Sequence, residues 1–387
     1  MRITSLALVL FSFILAGCSN KPNLSNLPLV DSEFSCEADS SISVPEDPAE
    51  AGPWPVGVRT VSISNGSKAD LTAEVWYPGS FNSQLGAEKV VYDLRQFLPD
   101  DDAALIPDDG GLVQECDCYA NLPVDLVNGP YPVIVFTHGT AAFRTASVIQ
   151  ATHWASRGFI VITADNPKIW LKDMKANLLS AIFANQAQDT VSILEAVHDV
   201  NADLNFLQGM DDATRIGLGG HSAGARAVSA LGAASGVRVV VPMAGGDEVD
   251  DTYAQQVLFM GSEKDNVVQY SAVRSGYNAN TLPKRFVGIA NTGHLTYTEL
   301  CSLGSEFGGV IPLVESFGVD VDPLFLRLGT DGCGSEFLSP ETGWDIVNAA
   351  STIAYEEVLK CKGDSSELFY GLEARFGSDI FEIEGTF

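Results

Sequence analysis

The sequence predicts an α/β fold in which a mostly parallel central sheet carries helices on both faces and loop insertions interrupt the pattern. From residue 131 onward, short continuous apolar runs alternate with helical patterns. A run without polar alternation is typical of a strand buried on both faces. Strands that alternate with helices build a parallel sheet through right-handed crossovers.

The strands can be read in chain order. Val58–Ile63 and Leu71–Tyr77 alternate apolar and polar residues around Asn65-Gly66, which is a β-hairpin signal. Apolar residues over 187–197 recur at the period of an amphipathic helix. Buried strands are expected at Val133–Phe136, Phe159–Ala164, Arg215–Leu218, Val237–Met243, Val257–Met260 and Arg285–Ile289.

Two segments fall outside this alternation. Residues 80–130 are rich in aspartate and proline, and we expect a long excursion before the first parallel strand. Residues 300–338 hold seven glycines and scattered aromatic residues. They precede Ser339-Pro340, which is expected to begin a final helix. Loops of this length are often lids or binding elements.

At the N-terminus, a positive start precedes the mostly apolar stretch Leu6–Leu15, and small residues come directly before Cys18. This order resembles a bacterial lipoprotein signal. We therefore expect a signal peptide over residues 1–17, a diacylglycerol on the Cys18 thiol, and an exported, membrane-anchored protein. An ordinary signal peptide with an incidental cysteine is the alternative. Residues 18–55 are expected to be a tether and residues 56–387 the folded domain.

The composition limits the possible partners. With 50 acidic and 22 basic residues, the chain carries a net charge of −28. Such a surface repels phosphates, which argues against nucleic acid as a partner and against unaided docking on anionic lipid. No apolar run after the N-terminus reaches the roughly 18 residues of a membrane-spanning helix.

The cysteines predict disulfides rather than a metal site. Of the seven cysteines, six remain when Cys18 is set aside, and an even number in an exported chain indicates disulfides. Pairing of Cys301 with Cys333 is favoured, although the sequence leaves other pairings open. Cys116 and Cys118 have no histidine nearby, which argues against zinc. We expect no metal and no cofactor.

The most informative motif is Gly220-His221-Ser222-Ala223-Gly224, which follows an apolar run and precedes an alanine-rich helix expected over Ala223–Ala234. A serine on a sharp strand-to-helix turn between glycines is exposed as a nucleophile. The amides at the start of the helix point toward negative charge that develops near this serine. We therefore predict that Ser222 is a catalytic nucleophile.

The general base must come from five histidines. His221 adjoins the nucleophile and should point away from its hydroxyl. His153 and His198 lie in helical segments, where packed or solvated side chains are expected, and His138 is expected to shape the loop after the first parallel strand. His294 follows the last expected parallel strand on a loop of small residues, at the sheet edge where functional loops gather. It is the predicted base.

The third member should be a carboxylate between the serine and the histidine in the chain. Asp265 follows the strand at Val257–Met260 and is preferred, because an acid after a glycine turn at that edge suits a residue beside His294. Asp247, after the preceding strand, is the alternative, and Glu263 is a third candidate.

Two backbone amides are expected to stabilise the oxyanion. One belongs to Ala223, the residue after the nucleophile. The other should come from the loop His138-Gly139-Thr140-Ala141, where Thr140 is our choice, unless this loop only ends a strand. Loss of one such donor typically costs about 3–4 kcal/mol in transition-state stabilisation.

Tyr131–Gly139, Phe143–Thr145 and Ala155–Val161 resemble the platelet-activating-factor acetylhydrolase and dienelactone hydrolase group of the α/β-hydrolase superfamily. The order of elements from Gly220 to His294 is also similar to that of cutinase-like, polyester-degrading hydrolases. The resemblance implies an α/β-hydrolase fold over residues 56–387 and ester hydrolysis through an acyl-enzyme. A serine replaces the cysteine usual in dienelactone hydrolases, and the two long segments are extra to the polyester-degrading enzymes.

These features predict a serine esterase with a Ser222-His294-Asp265 triad, acting on a small-molecule or lipid-like ester. Because a fold does not fix a function, two alternatives are kept. One is a different reaction on the same scaffold, such as amide or peptide hydrolysis or a cofactor-free peroxidase. The other is a non-catalytic surface lipoprotein that uses the scaffold for binding.

Overall fold

A computed structural model describes residues 21–30, 42–66, 68–199 and 203–387. The expected signal peptide and the lipid-bearing Cys18 lie outside these residues. Within the described ranges, none of the helices combines the length and the hydropathy that crossing a bilayer requires.

The centre of the fold is an eleven-stranded mixed sheet. Its strands are β1 (Val56–Ile63), β2 (Leu71–Pro78), β3 (Lys89–Asp93), β4 (Val113–Ala120), β5 (Tyr131–Thr137), β6 (Ile160–Ala164), β7 (Asp211–His221), β8 (Val237–Met243), β9 (Gln256–Ser262), β10 (Lys284–Ile289) and β11 (Ile380–Thr386). Their order across the sheet is β11-β10-β9-β8-β7-β5-β6-β2-β1-β4-β3. The strands from β10 to β6 in this order are all parallel to one another.

Helices cover both faces of the sheet. They are α1 (Asp100–Ala103), α2 (Val148–Ser156), α3 (Leu171–Ala176), α4 (Gln186–His198), α5 (Ala223–Ser229), α6 (Tyr270–Ala279), α7 (Val310–Ser316), α8 (Pro323–Leu328), α9 (Pro340–Leu359) and α10 (Ser366–Phe376). In β5, Ile134 and Phe136 belong to the core with α2 and α9, whereas Val133 and Val135 belong to the core with α4 and α6. Both faces are thus buried, which explains the continuous apolar run and confirms the predicted α/β fold.

The expected hairpin and the helix expected after Ser339-Pro340 are both present, although this helix is not the final one, since α10 follows it. β1 and β2 pair antiparallel from Val56 opposite Pro78 to Ile63 opposite Leu71. Ser339 caps α9 by accepting a hydrogen bond from the Thr342 N–H, and a proline occupies the first turn. The helix expected over Ala223–Ala234 ends earlier, at Ser229.

Residues 80–130, the first insertion, contribute two strands to the sheet. They form β3 and β4, which extend the sheet beyond β1. Along β4, the buried positions are Gln114, Cys116 and Cys118, and Glu115 and Asp117 between them are exposed. The sequence did not indicate this strand because its buried face carries no large aliphatic residue. Cys116 and Cys118 form a disulfide.

Residues 300–338, the second insertion, contain no strand in the structure. They form the short helices α7 and α8 and are closed by the Cys301–Cys333 disulfide, as expected. At the C-terminal end of the described residues, the strand β11 was not predicted. It pairs antiparallel with β10 and adds a final strand to the sheet.

The predicted tether is not free over its described second half. The guanidinium of Arg157 donates to the carbonyl groups of Pro45, Asp47 and Glu50, and it also pairs with Glu356. Trp54 is buried. Residues 42–55 therefore pack on the domain, because the buried arginine directly after α2 needs these carbonyl acceptors.

Candidate active site

Ser222 occupies a strained turn between β7 and α5. Its φ of 58° and ψ of −116° lie outside the regions that side-chain-bearing residues favour. A Cβ on Gly220 would collide with the Gly224 carbonyl, and a Cβ on Gly224 would collide with the Thr137 carbonyl. The Ser222 N–H donates to the Met243 carbonyl at 2.9 Å. The glycines thus permit the close packing that holds a serine in this conformation.

His294 and Asp265 form a buried pair. The Asp265 Oδ2 atom lies 2.8 Å from His294 Nδ1. The other oxygen, Oδ1, accepts hydrogen bonds of 2.7 Å from the N–H groups of Val267 and Val268. The carboxylate is therefore fixed on both oxygens. An acceptor on Nδ1 selects the tautomer that leaves Nε2 able to take a proton.

The other acid candidates make different contacts. Asp247 forms an ion pair with Arg226 at 3.0 Å, and its side chain is 61% exposed. Glu263 Oε2 accepts a 2.8 Å hydrogen bond from the Asn291 N–H, which joins the loop after β9 to the loop after β10. Of the three candidate acids, Asp265 is the one bonded to the His294 imidazole.

Among the described residues, the N–H groups of Thr140 and Ala223 have no hydrogen-bond acceptor. In the loop after β5, the N–H groups of Ala141 and Ala142 donate to the carbonyls of Ile169 and Gly139. No carbonyl in the described part of the chain accepts from the Thr140 N–H. Ala223 is the first residue of α5, so its N–H has no acceptor within the helix. Within the described part of the chain, both N–H groups are thus left without an acceptor, as donors to an oxyanion must be.

His138 holds the loop that carries Thr140. Its Nδ1 donates to the Gly139 carbonyl at 2.7 Å, and its Nε2 accepts from the Asn166 N–H at 3.0 Å. The Gln186 side chain donates to the His138 carbonyl at 2.8 Å. Burial lowers the pKa of His138, which keeps the ring neutral. These contacts agree with the expectation that His138 shapes the loop after the first parallel strand.

His221 makes a contact that sequence reasoning missed. Its Nε2 lies 2.9 Å from the His294 carbonyl oxygen, so this nitrogen donates. The two imidazole rings are 4.6 Å apart between centroids. Burial, reinforced by neighbouring His294, lowers the pKa of His221 well below its usual value. Adjacency to the serine was the sole sequence signal, and it did not indicate a contact with His294.

Ser222 and His294 line one cavity with an apolar wall, whose free volume is about 120 Å³. The first insertion contributes Leu94, Leu98 and Leu112, and the second contributes Val310, Ile311, Val314, Val319, Val321, Phe325 and Leu328. Lys175 lies at this wall with its charge engaged, because its Nζ bonds to the Asp102 carboxylate at 2.9 Å and to the Asp320 carbonyl at 2.7 Å. Among the described residues, no cluster of His, Cys, Asp and Glu could hold a metal.

Comparison with known families identifies one region of the chain. Residues 110–189 match the family "platelet-activating factor acetylhydrolase, isoform II". This region runs from the first insertion to α4 and includes the loop that carries Thr140. The match confirms the resemblance to the platelet-activating-factor acetylhydrolase group of α/β-hydrolases and supports a hydrolase that acts on esters. No curated protein matches the chain.

Proposed function

We propose that the protein is a serine hydrolase that cleaves carboxyl esters through an acyl-enzyme, with Ser222 as nucleophile, His294 as base and Asp265 as orienting acid. One observation carries the proposal. His294, paired with Asp265 at 2.8 Å, and Ser222, on a positive-φ turn, line the same apolar cavity.

In the first half of the reaction, Ser222 Oγ attacks the ester carbonyl while His294 Nε2 takes the hydroxyl proton. The negative charge that forms on the carbonyl oxygen is received by the N–H groups of Ala223 and Thr140. His294 then gives its proton to the departing alcohol. In the second half, water attacks the acyl-Ser222 ester by the same route, which releases the acid and restores the serine.

The cavity favours an acyl group that is apolar and of modest length. Aliphatic side chains from both insertions form its wall, and the free volume of about 120 Å³ exceeds that of a few water molecules. The charge of Lys175 is already paired with Asp102, so the wall offers no free cation for an acyl carboxylate. We therefore propose small or lipid-like esters as the substrate class.

Hydrolysis of p-nitrophenyl acetate and butyrate tests this function. We expect turnover by the wild type, its loss in Ser222→Ala, and covalent labelling of Ser222 by an organophosphate, detected by peptide mass. Ser275→Ala is the matched control, because that hydroxyl bonds within α6 and lies outside the cavity. A wild type without ester turnover and without labelling would refute the proposal. That result would favour one of the two alternatives, a non-catalytic binding protein or a different reaction on the same scaffold.

We also propose that the enzyme acts outside the cytoplasm, anchored by a lipid on Cys18. The support is the order of a positive start, an apolar stretch and small residues directly before this cysteine. Metabolic labelling with a fatty acid should mark the wild type and leave Cys18→Ala unlabelled. Labelling of the Cys18→Ala chain, or no labelling of the wild type, would contradict the anchor.

A further inference from the structure

Asp331, from the second insertion, contacts both loops that carry the imidazole and its carboxylate. Its Oδ1 accepts a 2.7 Å hydrogen bond from the His294 N–H. Its Oδ2 lies 3.2 Å from the N–H of Asn266, the residue after Asp265. The backbone carbonyl of Asp331 also accepts from the Leu295 N–H at 3.0 Å. One residue thus links the loop after β9 to the loop after β10.

The peptide groups of His294 are held by side chains on both sides. Its N–H donates to Asp331, and its carbonyl accepts from His221 Nε2 at 2.9 Å. These two contacts restrict rotation of the His294 backbone, from which the imidazole projects. A displacement of about 1 Å at a catalytic group can reduce a rate by about 100-fold. Restraint of this backbone therefore bears on the rate.

The second insertion is fastened at the point where it presents Asp331. Cys333, two residues further on, is bonded to Cys301. On the other side of Asp331, the Arg327 guanidinium donates to the Asn266 carbonyl at 2.6 Å. The N–H and the carbonyl of Asn266 are therefore both bound by the second insertion.

We propose that Asp331 is a positioning residue for the reaction, which makes the second insertion part of the catalytic apparatus as well as a cavity wall. The inference rests on the proposed ester hydrolysis. Asp331 does not touch the reacting atoms. It fixes the backbone of His294 relative to the loop of Asp265, so that the imidazole meets the serine and the carboxylate together.

Three substitutions test this assignment. Asp331→Ala removes the acceptor, and we expect kcat on p-nitrophenyl butyrate to fall about 10- to 100-fold with KM nearly unchanged. Asp331→Asn keeps an acceptor oxygen at the same reach and should restore most of kcat. Asp331→Glu keeps the charge but moves the acceptor by one methylene, so its kcat should stay below that of Asn. Glu306→Ala is the control, an exposed carboxylate of the same insertion that does not line the cavity.

The outcomes separate this inference from the proposed function. Wild-type turnover that Ser222→Ala abolishes supports the function whatever Asp331 does. A folded Asp331→Ala protein with wild-type kcat would overturn the positioning assignment alone. If Asp331→Ala does not fold, the comparison of Asn with Glu decides, and equal kcat values in those two variants would overturn the assignment.

Discussion

The two insertions differ in how they are built and in what they reach. The first adds β3 and β4 to the sheet and touches the cavity through leucines. The second adds no strand, yet it supplies much of the apolar wall and brings Asp331 to the His294 N–H. A segment without strands can therefore contact the candidate active site more directly than a segment that extends the sheet.

The largest effect is expected from substitution of the proposed acid, Asp265, which belongs to neither insertion. Asp265→Asn should lower kcat by about 10⁴-fold, because the amide no longer selects the tautomer of the base. Asp247→Asn is the matched control and should leave kcat almost unchanged, since Asp247 pairs with Arg226 at the surface. Steady-state rates of both variants on p-nitrophenyl butyrate decide. A larger loss in Asp247→Asn would transfer the acid role to that residue.

Each insertion holds one disulfide, so removal of each disulfide in turn compares the two insertions directly. Replacing Cys301 and Cys333 by serine opens a 32-residue separation, and we expect the free energy of unfolding to fall by about 3–4 kcal/mol. We also expect kcat to fall, because Cys333 lies two residues from Asp331. The control replaces Cys116 and Cys118, which lie two positions apart in the first insertion. Equal loss of kcat in both double variants would remove the distinction between the insertions.

A third change should alter stability without altering chemistry. Burial lowers the pKa of His153 from 6.5 to about 4, while its Nε2 bonds to the Pro48 carbonyl. Between these pH values the unfolded chain takes up a proton that the folded chain refuses, so stability falls as pH falls. This difference corresponds to about 3 kcal/mol.

Denaturant unfolding at pH 7 and at pH 4 measures this effect. His153→Gln should show a smaller loss of stability on acidification than the wild type, with kcat at pH 7 retained. The pKa values of His138 and His221 are lowered by burial too, so part of the acid sensitivity should persist. An unchanged acid sensitivity in His153→Gln would contradict the assignment to His153.

The smallest effects should come from the cavity wall, and here the insertions should behave alike. Leu98 of the first insertion and Val314 of the second both line the cavity. Val314→Phe and Leu98→Phe should each lower the ratio of kcat/KM for butyrate to kcat/KM for acetate by about 10- to 200-fold, because the longer acyl chain loses space. Ratios of kcat/KM for the two esters check this. A response on one side alone would place the acyl group against that insertion.

The sheet and part of the site could be predicted from the sequence. The buried strands appear as continuous apolar runs because both of their faces are covered, and the even cysteine count indicated disulfides, among which the Cys301–Cys333 pairing was favoured. The strand β4 was not predicted because its buried positions are Gln114, Cys116 and Cys118. The strand β11 was not predicted because it has no distinct apolar run. The contacts of Asp331 and His221 with His294 could not be predicted, because they involve backbone groups of His294, and such contacts leave no pattern in a sequence.

The most direct test of the proposed reaction is the pre-steady-state release of p-nitrophenol from p-nitrophenyl butyrate. An acyl-enzyme on Ser222 predicts that, when deacylation is slowed at low pH, a burst equal to the active-site concentration appears, and that the trapped Ser222 peptide gains the mass of a butyryl group. Ser222→Ala should show neither. Acylation of a different residue, or turnover that persists in Ser222→Ala, would contradict the assignment of Ser222 as the nucleophile.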